Sequence, residues 1–313
     1  PDLSRNRREA RGICSSFVLL PGRSLVPRDD SYFQQQKYYL QPMKRLSTLL
    51  FFLFIALHLA AAKVDTVTVF SNSMQKEIKC VVITPKNYKK SKERFPVVYL
   101  LHGYSGNYAG WIKEAKQLTQ RADELQLMIV CADGGFYSWY YDSPIDPKMK
   151  YETFVSKELV SYIDTHYKTI ADKKGRAITG LSMGGHGALY LAVRNKEVFS
   201  QAGSLAGGVD IRPFPNNWQI KQVLGDITTH KENWDTYTVI NQIETLKNGE
   251  LHLIIDCGLG DFFLEVNRNL HQKLMTLKID HDYTERPGAH NGAYWGSAVD
   301  YLLLFFKKGF GRK

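Results

Sequence analysis

Ala177-Ile178-Thr179-Gly180-Leu181-Ser182-Met183-Gly184-Gly185 decides how the rest of the chain reads. A short apolar run enters it. A helix-forming run, Ala188-Leu189-Tyr190-Leu191-Ala192-Val193, leaves it. Between them Gly180 and Gly184 bracket Ser182 in a Gly-x-Ser-x-Gly spacing. A serine in such a strand–turn–helix setting has its Oγ lifted clear of the sheet and becomes a nucleophile. Glycine is needed on either side because a side chain would strike the adjoining strand or helix. The alternative is a plain serine in a glycine-rich turn.

Working outward, buried-strand and helix patterns alternate. Pro96-Val97-Val98-Tyr99-Leu100-Leu101 and Leu127-Met128-Ile129-Val130-Cys131-Ala132 are continuous apolar runs, as in a sheet covered on both faces. Gln201 to Ala206, Leu251 to Cys257 and His281 to Glu285 continue the strand series. Helices are predicted over Leu118 to Leu125, Phe154 to Ile163, Phe262 to Leu277 and Tyr294 to Lys308. Upstream, Val64 to Ser71 alternates like a half-exposed strand. Lys79 to Thr84 is a second strand ended by Pro85, and the polar turn after it suggests a hairpin. Residues 207–248 are irregular, with Pro213, Pro215, Trp218 and Trp234, and read as an inserted cap or lid with short helices. The class is α/β with a mostly parallel sheet.

A serine hydroxyl reacts only when a base takes its proton and an acid holds that base in the right tautomer. After Ser182 the chain offers both, each in a loop past a strand. The acid candidate is Asp261, in Cys257-Gly258-Leu259-Gly260-Asp261; Asp256 is its rival, placed before the turn and read as structural. The base candidate is His290, in Pro287-Gly288-Ala289-His290-Asn291-Gly292. His252 lies in a strand, His271 in a helix, and His186 in the helix after the turn, so these read as packed or surface histidines. Two backbone N–H groups must meet the developing oxyanion. Met183, next to the serine, supplies one. Tyr104, in the loop after Leu101, supplies the other, with Gly103 as second choice and His102 as a loop-shaping side chain. Tyr104, Trp111, Trp139, Tyr140 and Trp295 crowd the expected mouth. They would face an aromatic acyl group or a sugar, or else pack core and loops.

The N-terminal region reads differently. Met43-Lys44-Arg45, the apolar run Leu49 to Leu57 and Ala60-Ala61-Ala62 form the three regions of a secretory signal over 43–62. The apolar run is short for a membrane span, so no stable span is expected after cleavage. Residues 1–42 are rich in Arg, Ser, Gln and Pro, and read as a non-native or disordered leader. The expected enzyme domain is 63–313. Residues 1–62 hold nine Lys/Arg against four Asp/Glu, half of the net charge of +10. The remaining basic residues are scattered, as in Lys89-Lys90-Ser91-Lys92-Glu93-Arg94, which reads as a solvated loop rather than a nucleic-acid surface. Cys80, Cys131 and Cys257 sit in apolar runs and read as buried thiols, with a Cys80–Cys131 pair as an alternative after export. No metal-ligand spacing is present and no metal or other cofactor is expected.

Leu100-Leu101-His102-Gly103, Gly180-Leu181-Ser182-Met183-Gly184-Gly185, Cys257-Gly258-x-x-Asp261-Phe262, and His290 with Tyr294-Trp295 together resemble the putative-esterase (esterase D-like) family. Tyr151-Glu152-Thr153-Phe154-Val155-x-Lys157-Glu158-Leu159 resembles its helix before the serine turn. The resemblance covers nearly all of 64–313. It implies an α/β-hydrolase fold, Ser182, Asp261 and His290 as catalytic triad, and the Tyr104 and Met183 amides as oxyanion hole. The family includes acetyl and tributyrin esterases, feruloyl esterases, S-formylglutathione hydrolases and mycolyltransferases. It often has a tryptophan two residues after the histidine. This chain has Gly292 there, implying extra room beside the base. Trp111, Trp139, Gly292 and Trp295 are the expected pocket. The export signal disfavours glutathione-thioester chemistry and favours a secreted or periplasmic esterase acting on a small-molecule or oligosaccharide ester. Transfer to a sugar hydroxyl, or carbohydrate binding without catalysis, are the alternatives.

Overall fold

The computed structural model describes residues 62–310. The expected leader (1–42) and all but the last residue of the expected signal (43–62) lie outside the described residues. The described residues form one compact unit.

Eight strands make one sheet, in the order β1-β2-β4-β3-β5-β6-β7-β8. They are β1 (Lys63–Ser71), β2 (Lys76–Thr84), β3 (Val97–Leu101), β4 (Met128–Ala132), β5 (Arg176–Gly180), β6 (Gln201–Leu205), β7 (His252–Gly258) and β8 (His281–Arg286). The six strands from β4 to β8 in that order pair in parallel, and β1 and β2 add an antiparallel edge. The hairpin expected after β2 does not form. β2 instead pairs back on β1 across the turn at 72–75, and on its other side meets β4. The chain after Pro85 crosses over to β3, because β2 has already filled both its hydrogen-bonding edges.

Strand alternation divides the core in two. Val97, Tyr99 and Leu101 face one layer, while Val98 and Leu100 face the other. The first layer carries a helix over 151–166 (α3) and the helix after the serine, α4 (Met183–Arg194). It also carries α8 (Leu264–Thr276). The middle of α3, Phe154–Leu159, is wound as a π-helix, which lets Phe154 and Leu159 bury on one face five residues apart. The second layer carries α1 (Gly110–Glu114), α2 (Leu118–Leu125) and α9 (Gly292–Phe310). Leu302, Leu303 and Phe306 of α9 are fully buried there, each contributing about 2 kcal/mol by leaving water.

Residues 207–248 contain α5 (Ile220–Leu224), α6 (Lys231–Tyr237) and α7 (Val239–Gln242). Ile220, Val223, Leu224, Trp234 and Val239 bury fully into the first core layer. The two β-sheet cysteines stand on opposite sides. Cys80 faces Ala132 across the ladder, while Val81 faces Cys131, so a one-residue offset sends the two thiols into different core layers. They are free, as is Cys257. No described helix is long and apolar enough to cross a membrane.

Candidate active site

β5 delivers Ser182 just past its carboxyl end, in the middle of the sheet, in a strained turn. Its φ is +56° and its ψ −118°, a region that L-residues rarely adopt. The Ser182 N–H donates to Leu205 O at 3.0 Å, tying the turn to the end of β6. The glycine requirement is steric. A Cβ on Gly180 would stand 2.7 Å from Leu101 O, and one on Gly184 2.6 Å from His102 O. Both obstacles are backbone and cannot rotate away.

β7 and β8 end side by side and lift the two partners over the serine. Leu259 N–H donates to Arg286 O and Gly260 N–H to Gly288 O, both at 2.8 Å, so the acid and base loops are bound to each other. Asp261 Oδ2 lies 2.8 Å from His290 Nδ1, and His290 Nε2 lies 2.9 Å from Ser182 Oγ. Asp261 Oδ1 accepts the Phe263 N–H at 2.8 Å. The Asp261 side chain is fully buried and that of His290 is 14% exposed, so the histidine is open to the cleft only at its working edge. An ionised Asp261 can only accept. Nδ1 therefore carries the proton, and Nε2 is left to accept the serine hydroxyl. This arrangement can move the serine proton onto an imidazole whose charge a buried carboxylate balances.

Two backbone amides close to the serine are without a partner among the described residues. Met183 is the first residue of α4, and its N–H has no partner within the helix. Neither it nor the Tyr104 N–H donates to another described residue. Met183 opens α4 directly after the serine, Tyr104 stands in the loop after β3 that lines the same cleft, and α4 adds the positive end of its dipole.

Asp256 is not part of this path. Its carboxylate is bound by Arg286, and Tyr294 Oη–H donates to its other oxygen at 2.5 Å. It braces the foot of the histidine loop, as its place before the turn predicted. His102 also does what was expected of it. Its Nε2 accepts the Gly134 N–H at 2.8 Å, so Nδ1–H donates to Gly103 O at 2.8 Å and shapes the loop. His186 packs in α4 between Tyr141 Oη (2.6 Å) and Gly208 O (2.8 Å), and burial pushes it down to about 4.

A cleft of about 450 Å³ opens over the serine. Trp111 and Trp295 line it, as expected from the sequence. Trp139 does not. It is 1% exposed, its ring lies edge-on to His186, and its indole N–H donates to Trp218 O. Tyr140 is fully buried beside it, donating to His102 O. The left-handed backbone at Trp139 and Tyr140 (φ +54° and +63°) turns both rings inward. Nor does Gly292 leave room beside the base. A Cβ there would collide with Glu114 Oε2, so the space holds a carboxylate.

Trp218, Phe262 and Glu114 are among the cleft residues that escaped sequence reasoning. Phe262 directly follows the acid, and its ring centroid lies 4.2 Å from that of His290; its adjacency in the motif was the available signal. Trp218 stacks on Phe262 at 5.7 Å and belongs to the irregular tryptophan-bearing segment. Glu114 gave no signal, since no motif in the sequence around it marks a site residue.

Comparison with known proteins agrees with the fold. An acetyl esterase from Caldicellulosiruptor saccharolyticus is 24% identical over 260 residues, covering 76% of this chain and 96% of that protein. An esterase from Mycobacterium tuberculosis is 27% identical over 235 residues, and there the match spans 67% of this chain and about half (51%) of the relative. A solved ferulic acid esterase superposes with a TM-score of 0.69 at 27% identity, covering 80% of this chain and 99% of that one. Residues 71–306 match the family described as "Putative esterase", and the mostly parallel sheet flanked by helices is that of an α/β-hydrolase. The chain belongs to that esterase family.

Proposed function

We propose that this chain is a serine carboxylesterase working through an acyl-enzyme on Ser182. The observation that carries the reading is the unbroken proton path from Ser182 Oγ to His290 (2.9 Å) and on to Asp261 (2.8 Å). Oγ attacks the ester carbonyl while Nε2 takes its proton. The carbonyl oxygen becomes an oxyanion facing the Tyr104 and Met183 amides. His290 then returns the proton to the departing alcohol. Water, deprotonated by the same nitrogen, releases the acid and restores Ser182.

The substrate reading is an acetyl or feruloyl ester, carried on a carbohydrate. Two relatives are named for those acyl groups, and the cleft walls are aromatic. Trp218 comes from 207–248, which in this reading shapes the entrance as a cap. Export to a secreted or periplasmic location rests on the signal pattern at 43–62.

The test is Ser182→Ala against p-nitrophenyl acetate, together with acetyl, butyryl and feruloyl esters of sugars. Turnover is expected to fall by about 10⁶-fold. A Ser182→Ala protein that cleaves at the parent rate overturns the mechanism. A parent enzyme indifferent to the sugar overturns the carbohydrate assignment.

A further inference from the structure

The cleft holds one carboxylate that the proton path does not use. Glu114 ends α1, and its exposed side chain lines the same cleft as Ser182 and His290. Among the described residues, no donor hydrogen-bonds to it and no cation pairs with it. Its Oε2 rests against Gly292, two residues past the histidine, at the turn into α9. A free carboxylate beside a wall formed by Trp111 and Trp295 is an arrangement with two consequences. It can accept hydrogen bonds from hydroxyl groups, and it repels negative charge.

We propose that Glu114 selects the alcohol half of the ester, accepting hydroxyls of an uncharged polyol and turning away anionic alcohols. This rests on the esterase reading of the site. His290 must hand its proton to the leaving oxygen, so groups flanking His290 face the alcohol rather than the acyl chain. A carboxylate has about four lone-pair positions and can take two neighbouring hydroxyls at once. The indole face of Trp295, whose ring stands edge-to-face with His290 at 4.8 Å, offers apolar surface to the C–H side of a sugar ring. A tryptophan at position 292 would have closed this space. Glycine there leaves the carboxylate lying along the backbone.

The test compares acetate esters of alcohols matched in size: cationic choline, its uncharged carbon isostere 3,3-dimethylbutanol, and anionic 2-hydroxyethanesulfonate. In the parent enzyme kcat/KM should favour the cationic over the anionic ester by roughly tenfold at low salt, and the ratio should shrink as salt is added. Glu114→Gln should bring that ratio to about one, and Glu114→Lys should invert it. Because each ratio is taken within one protein, a general loss of activity cancels. Glu114→Leu should lower kcat/KM for an acetylated hexose relative to cyclohexyl acetate by about fivefold, the loss of one net hydrogen bond. Charge ratios that ignore residue 114 overturn the role of Glu114 while leaving the esterase reading intact. No cleavage of any of these esters by the parent enzyme overturns both.

Discussion

Replacing Asp261 by asparagine keeps the shape of the side chain and reverses one hydrogen bond. Asp261 Oδ1 accepts the Phe263 N–H at 2.8 Å, and Oδ2 accepts Nδ1–H of His290 at 2.8 Å. Asparagine must keep its oxygen toward Phe263, since an amide nitrogen there would face another donor. Its NH2 therefore points at Nδ1. The imidazole answers by moving its proton to Nε2, so that Nδ1 can accept. Nε2–H then meets Ser182 Oγ as a donor and can no longer take the hydroxyl proton. The side chain is fully buried, so no water is at hand to soften the mismatch. The expected loss in kcat is about 10⁴-fold, or roughly 5.5 kcal/mol of barrier, as for a triad holding the wrong tautomer. The assay is steady-state hydrolysis of p-nitrophenyl acetate, with fluorophosphonate labelling of Ser182 as a second readout. Labelling should slow in parallel, while Asp256→Asn should spare the rate far more. An Asp261→Asn enzyme retaining more than a tenth of parental kcat would refute the tautomer argument.

Two further predictions concern stability. Gly184→Ala would ordinarily stabilise a helix by about 1 kcal/mol. Here its Cβ would press on the carbonyls of Leu101 and His102, so a net loss of about 2–3 kcal/mol is expected in urea midpoints, and a gain would refute the close approach. His186 is neutral when folded because burial holds it down to about 4, whereas the unfolded chain takes up its proton near 6.5. Its contribution is thus present above about pH 6.5 and lost as pH falls toward 4. The full loss is roughly 3 kcal/mol. His186→Gln should flatten the difference in unfolding free energy between pH 7.5 and pH 4.5; an unchanged difference would place the titration elsewhere.

The elements that could be read from the sequence are those whose signal is local. β3, β4 and β7 are buried on both faces, and their apolar runs say so directly. The serine turn is legible because its geometry demands glycine at fixed positions within five residues. The hairpin was misplaced because both β1–β2 and β2–β3 are joined by polar turns. Only the position of β4 as second partner of β2 decides between them. Tyr140 and Trp139 read as pocket aromatics because composition marks a loop as aromatic. It does not show that a left-handed backbone turns the rings inward.

By itself, the sequence determined the α/β class, the nucleophile turn, and an acid and a base in workable order, since each is written in a short stretch. The tertiary structure decided which residues meet over that turn. Ser182 and His290 stand 108 positions apart, and it is the shared ends of β5, β7 and β8 that bring Oγ, Nε2 and Asp261 into one line. The same closure set Glu114 against Gly292 and Trp218 against Phe262. A one-residue offset in register sent Cys80 and Cys131 to opposite sides of the sheet. Contacts of this kind depend on where separate elements end in space, and no local pattern of residue types encodes that.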